Sequence, residues 1–212
     1  MNPRKSNKRK PGRVNDAKDP LEIGRRYFYG IRTPRNYRKA VPHILQAARS
    51  GYVHGQYLAG YALSHGLGIR KDPRTAARWY RSAAAKDHLG ALFNLARMYE
   101  SGSGVRRNLR RAFLLYRRGA ELGDKLAQCN LAVAYLDGLG TRKDISLGVR
   151  WMRKSAQKGD SKAQYNLALA YKEGEGVPQN YRLAKLWLRK ASKQNHKKAA
   201  TMLSRSTTLR SA

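Results

Sequence analysis

Few side chains in this sequence could do covalent or proton-transfer chemistry. Five histidines, His43, His54, His65, His88 and His196, are the candidates for proton transfer or metal ligation, and Cys129 is the single candidate nucleophile. The histidines make no i, i+4 pair that would set two imidazoles on one helix face, and no serine or cysteine partnership that sequence can reveal. One cysteine excludes an internal disulfide framework and supplies no zinc-ligand spacing. The glycine pairs Gly66/Gly68, Gly102/Gly104, Gly138/Gly140 and Gly174/Gly176 are not phosphate-cradling loops, because no P-loop lysine follows them. No catalysis, metal or cofactor is expected.

What the sequence does offer is recognition by charge and by amide. Its 45 Lys and Arg face 13 Asp and Glu, a formal net charge of +32, and residues 19–212 alone carry 38 basic against 12 acidic residues. Such an excess calls for acidic partners: an acidic protein, nucleic acid or an anionic membrane surface. The arginines are ordered. Arg74, Arg78 and Arg81 lie at i, i+4, i+7 on one helix face; Arg38, Arg74, Arg110 and Arg182 form one column and Arg81, Arg117, Arg153 and Arg189 another. A second set, Asn94 and Arg97, Asn130 and Val133, Asn166 and Leu169, lies opposite the apolar face of other helices. Carboxamides both donate and accept, so a ladder of them can hold the backbone of an extended peptide beside apolar contacts.

These ladders exist because the chain repeats itself every 36 residues. Gly66 recurs as Gly102, Gly138 and Gly174, and Trp79 recurs as Trp151 and Trp187, with Leu115 in the remaining slot. Fixed spacing of this kind marks one unit copied and stacked. In each unit, Ala91, Leu95 and Met98 and their equivalents predict a first helix, A, ended by the glycine pair. Asp72, Asn108, Asp144 and Asn180 predict the N-cap of a second helix, B, whose inner side is Ala76, Trp79, Tyr80 and Ala83 in the first full copy. The tryptophan column and Cys129 are expected in the core. The first unit departs from the pattern: Arg32 replaces the second glycine, and Pro42 inside helix B predicts a shortened, kinked element.

The pattern Ala-x-x-x-Leu-Ala-x-x-Tyr, Gly-x-Gly-Val, Ala-x-x-Trp-x-x-x-Ala-Ala, most complete from Ala163 to Ser192, resembles the Sel-one-like repeat (SLR), a relative of the tetratricopeptide repeats. The resemblance spans about Leu21 to Ser204. It implies an all-α, right-handed solenoid of about five stacked hairpins, helices A lining the concave side and helices B the convex side, serving as a scaffold for other proteins.

The expected organisation is therefore a disordered basic arm over 1–18, a solenoid over 19–205 that ends in a capping helix at 197–205, and a flexible tail over 206–212. The expected function is a non-enzymatic adaptor that binds a protein segment, acidic in character, through Asn94, Arg97, Asn130, Val133, Asn166 and Leu169. A basic convex face of Arg74, Arg78, Arg81, Arg110, Arg117, Arg153, Arg182 and Arg189 supports it. The alternative is a nucleic-acid or ribonucleoprotein binder that uses the arm and the arginine ladders. With no apolar run long enough to span a bilayer and no secretory signal pattern, the cytoplasm is the expected location.

Overall fold

The 36-residue period resolves into eleven helices, and the computed structural model describes residues 19–208 of the chain, with side chains to 204. Helices A are α1 (Pro20–Tyr29), α3 (Val53–His65), α5 (Leu89–Ser101), α7 (Lys125–Asp137) and α9 (Ser161–Glu173). Helices B are α2 (Tyr37–Arg49), α4 (Pro73–Ala84), α6 (Leu109–Glu121), α8 (Ile145–Gln157) and α10 (Tyr181–Ser192), and α11 (Lys197–Thr208) follows the last hairpin. No strand occurs among the described residues. Each helix packs on the next in chain order, and α3 also meets α5, helix A to helix A. The result is an α-solenoid in which helices A meet across a unit boundary at α3 and α5, as they do on the inner side of such a stack.

Each boundary has a local cause. Asp72, Asn108, Asp144 and Asn180 have extended backbones, and their side-chain oxygens accept from the backbone N–H three residues on, as a capping residue does for an otherwise orphaned donor. Every helix A closes on a left-handed glycine whose N–H returns to the helix, Gly30, Gly66, Gly102, Gly138 and Gly174. The second glycine answers to a different constraint. At Gly68, Gly104 and Gly140 a Cβ would run into the backbone at the first turn of the preceding helix B, at Tyr37, Pro73 and Leu109 respectively. Arg32 takes the same left-handed conformation, at φ 56°, but it is exposed and has no helix B beneath it among the described residues.

Two expectations need correction. Helix α2 is not shortened: it runs for 13 residues, as α6 and α8 do, and Pro42 is exposed on its outer side, where it forfeits one backbone bond. The tryptophans are half-buried rather than enclosed. Trp79, Trp151 and Trp187 each sit at the seam between two adjoining core clusters. The enclosed column is one residue further on: Tyr80, Tyr116, Met152 and Leu188 are 1%, 3%, 1% and 6% exposed. Burying a side chain of that size contributes about 1.5–3 kcal/mol.

The unit-specific departures are also accommodated. Ser155, where other units have Ala47, Ala83, Gly119 and Ala191, is fully buried and donates to the Lys125 carbonyl at 2.7 Å. Cys129 is buried, and its thiol is pushed up to about 12, first by burial and then by Asp160, which makes it inert packing. The arm expected over 1–18 and the end of the tail, 209–212, lie outside the described residues; α11 continues helically three residues beyond 205 and packs against α10.

Candidate functional site

Charge is divided between the two layers. The five helices B hold 17 Lys and Arg and one acid, Glu121, whereas the five helices A hold six and four. Most of the net charge of the folded part therefore belongs to the B layer. Five of the twelve carboxylates beyond residue 18, Asp19, Asp72, Asp124, Asp144 and Asp160, are occupied as helix N-caps. Only four salt bridges form among the described residues. One lies on the arginine ladder, Arg117 to Glu121 at 3.7 Å, an exposed i, i+4 contact of little consequence.

Of the expected basic face, Arg74, Arg78, Arg81, Arg110, Arg117, Arg182 and Arg189 are exposed and Arg153 is half-buried. The side chains of Arg74, Arg78, Arg182 and Arg189 make no hydrogen bond or ion pair among the described residues. Arg110 reaches the Gly140 carbonyl at 3.3 Å, and its guanidinium lies 5.7 Å from the centre of the Phe113 ring. Arg153 donates to the Tyr171 hydroxyl at 3.0 Å, and Arg81 donates to that of Tyr99 at 3.4 Å. These partners are neutral, so the positive charge is not cancelled.

The inner face is built differently. Asn94, Asn130, Asn166, Val133 and Leu169 are half-buried and Arg97 is exposed. The amides expected to be exposed and available are partly engaged. Asn94 donates to the Tyr80 hydroxyl at 3.3 Å, and Asn130 donates to the Leu126 carbonyl of its own helix at 2.9 Å. Asn166 makes no hydrogen bond among the described residues. Tyr80 crosses from helix B into this layer, where its oxygen lies 3.2 Å from Ser64 Oγ; burial raises it well above the ordinary phenol range. Ser64, His65, Tyr80, Asn94, Arg97 and Glu100 line a cleft of about 360 Å³, and the Glu100 carboxylate accepts from the Tyr116 hydroxyl of α6 at 2.9 Å.

In the N-terminal half of this groove the sequence offers Leu58 and Tyr61 as apolar contacts. Leu58 is buried, and what sequence reading missed is the ring stacking around Tyr61. Tyr57 stacks on His88 with ring centres 4.4 Å apart, Tyr61 stacks on His65 at 4.2 Å, and Tyr29 is 42% exposed at the end. His54 Nδ1 and His88 Nε2, 34 residues apart, approach to 3.2 Å. Because the Ala91 N–H donates to His88 Nδ1 at 3.3 Å, that nitrogen is an acceptor. His88 then carries its proton on Nε2 and donates it to His54, and both rings are neutral. Burial is the main cause holding both imidazoles below the usual histidine range; His88 and Arg25 add to it at His54. Ser64 Oγ lies 2.8 Å from His65 Nδ1, but both atoms also sit 3.0 Å from the Tyr61 carbonyl. That carbonyl accepts protons only, so His65 Nδ1 is a donor there and not a base for the serine. No helix among the described residues is long and apolar enough to cross a membrane.

A repeat solenoid with an inner groove of amides, aromatics and apolar side chains and an outer layer of arginine belongs to the helical-repeat binding proteins. The Sel1 repeat family matches over residues 21–52, 53–88, 90–124, 125–160 and 161–196, and the chain belongs to it. A segment of 82 residues, 37% of the chain, is 32% identical to human protein sel-1 homolog 2 and spans 12% of that relative's length. Among solved structures, the Escherichia coli c5321 protein, a protective antigen of uropathogenic strains with an SLR fold, is similar at a TM-score of 0.80 and 29% identity. That match covers 85% of this chain and 38% of c5321. A Sel1 repeat protein from Oxalobacter formigenes is similar at the same TM-score and identity, over 88% of this chain and 54% of its own.

Proposed function

We propose that this chain is a non-enzymatic interaction scaffold that binds a protein segment along the groove of helices A, with the arginine-rich B layer drawing in acidic partners. Sel1 repeat proteins generally act as scaffolds for other proteins, and the observation that carries the reading here is the division of charge. A nearly balanced inner face with half-buried apolar and amide side chains suits a peptide, and the basic outer layer suits long-range steering. The groove contacts are Asn166, Leu169, Val133 and Arg97, with the Asn94 and Asn130 amides in supporting positions.

The test selects peptides from a displayed random library on the full chain and measures labelled winners by fluorescence anisotropy. Asn166→Ala with Leu169→Ser should weaken them by about tenfold or more, equivalent to about 1.4 kcal/mol, with circular dichroism unchanged. Asn130→Ala should matter less, because its amide is spent on its own helix. Winners indifferent to the double change refute the groove.

A nucleic-acid ligand is the second reading, favoured by 17 basic residues against one acid on helices B. Changing Arg81, Arg117, Arg153 and Arg189 to Glu should then lower the slope of log affinity against log salt by about one for each phosphate that is no longer neutralised. If the wild-type chain binds neither duplex DNA nor single-stranded RNA at physiological ionic strength, this reading is removed.

A further inference from the structure

Two arginines from consecutive helices B converge on one oxygen. Arg81 Nη2, on α4, donates to the Tyr99 hydroxyl at 3.4 Å, and Arg111 Nη1, on α6, donates to the same atom at 3.3 Å. The Arg111 guanidinium also lies 5.5 Å from the centre of the Tyr99 ring. Tyr99 is held by the core, 6% exposed, while both arginines are exposed. Neither arginine makes an ion pair among the described residues. The hydroxyl is neutral, accepts from both and keeps one proton to give, so two cations and a third donor gather at one point of the surface. The hydrogen bond from Arg81, with a weaker pull from Arg111, holds the phenol below its ordinary range against the opposing effect of burial.

Like charges drawn together around a neutral atom gain most from an anion that accepts from both, and a guanidinium pair matches a tetrahedral dianion in charge and in donor geometry. Among the described residues the constellation is complete only once. At the 36-residue interval the tyrosine recurs as Tyr27, Tyr135 and Tyr171. Tyr135 and Tyr171 have Arg117 and Arg153 but Leu147 and Leu183 at the position of Arg111, and Tyr27 has Lys39 over its ring at 5.8 Å with no first arginine among the described residues. Arg117 turns instead to Glu121, and Arg153 meets Tyr171 alone. A polymer backbone would call for a recurring track, whereas a single cradle calls for a single group.

We infer that Arg81, Arg111 and the Tyr99 hydroxyl form a binding site for one phosphomonoester, carried as phosphoserine or phosphothreonine on a partner segment. The site lies at the seam of the second and third units, its two arginines on helices B and its tyrosine on α5, and it shares no residue with the groove contacts, so it stands or falls separately from the groove. The phosphate oxygens accept from the two guanidiniums and from the tyrosine hydroxyl.

The test is fluorescence anisotropy of the full chain at physiological ionic strength, with a short labelled Gly/Ser peptide carrying one phosphoserine and with its unphosphorylated twin. The phosphopeptide should bind about tenfold or more tighter than the twin. Arg81→Gln with Arg111→Gln should abolish most of that preference, and Tyr99→Phe, which keeps the ring and removes the proton, should reduce it severalfold. Arg150→Gln with Lys193→Gln removes equal charge from exposed positions elsewhere and should leave the preference within about twofold. Equal losses in the two charge-matched pairs overturn the assignment, as does the absence of a phosphopeptide preference. Binding of inorganic phosphate without that preference overturns it in favour of a loose anion. A larger loss for a single-stranded RNA oligonucleotide than for the phosphopeptide overturns it in favour of nucleic acid.

Discussion

Replacing Gly140 by alanine tests the reason for the paired glycines. Gly138 and Gly140 both have φ 71°, so alanine at either position meets the left-handed penalty of about 1–2 kcal/mol. They differ in their surroundings. A Cβ on Gly138 would find its nearest neighbour, the Lys143 nitrogen, at 3.5 Å, an ordinary contact, whereas a Cβ on Gly140 would collide with the Leu109 carbonyl in the first turn of α6. Backbone cannot swing aside as a side chain can, so the turn must lift off the preceding unit, an overpacking cost of about 1–3 kcal/mol in addition. Gly140→Ala should therefore cost about 2–5 kcal/mol and Gly138→Ala about 1–2. Gly159, at φ 83° with nothing within 4 Å of the added carbon, supplies a second conformational control. Urea unfolding of the three variants, followed by circular dichroism, measures the differences. Equal losses at Gly138 and Gly140 would refute the close-approach argument and leave φ as the only reason for both residues.

The packing and the titrating groups set three further outcomes. His54 and His88 both have depressed pKa values, so the unfolded chain binds protons first as pH falls; their contribution is fully present above the ordinary histidine range and is lost as pH falls through and below it, and His88→Asn, which keeps an N-cap acceptor, should flatten that part of a stability-against-pH curve. A curve unchanged by His88→Asn would show that the pair does not titrate with folding. Met152→Ala should cost about 2–5 kcal/mol as an enclosed core truncation, and Trp151→Ala should fall below the roughly 3–5 kcal/mol of a fully enclosed tryptophan. A reversed order in urea unfolding would return the tryptophans to the core. Tyr116→Phe removes a hydrogen bond to the Glu100 carboxylate at 2.9 Å and should cost about 1.5–3 kcal/mol; a loss within error would mean that water replaces the hydroxyl.

What the sequence made legible and what it hid follow from one geometrical fact. Residues related by the full period of 36 occupy equivalent places, so any constraint met within a unit appears as a column: the caps Asp72, Asn108, Asp144 and Asn180, the αL glycines, and the enclosed alanines Ala76 and Ala112. Stacking contacts run from one unit to the next, from helix B or helix A of one to helix A of the following, and these pairs are separated by other intervals. Arg81 reaches Tyr99 and Arg153 reaches Tyr171 across 18 residues, Tyr80 reaches Asn94 across 14, and His54 reaches His88 across 34. A column alignment therefore sorts Arg81, Tyr99 and Arg111 into three unrelated ladders, although the fold sets them on one point. The same reasoning explains the tryptophans: a recurring large apolar residue looks like core, yet its place at the seam leaves one edge in solvent, where Lys154 and Lys190 cover Trp151 and Trp187 at 4.2 and 4.4 Å. Repetition fixes the scaffold, and the residues that break repetition at the seams, His54 where later units have Gly90, Leu126 and Lys162, and Arg111 where the neighbouring units have Thr75 and Leu147, give an otherwise uniform array its distinct sites.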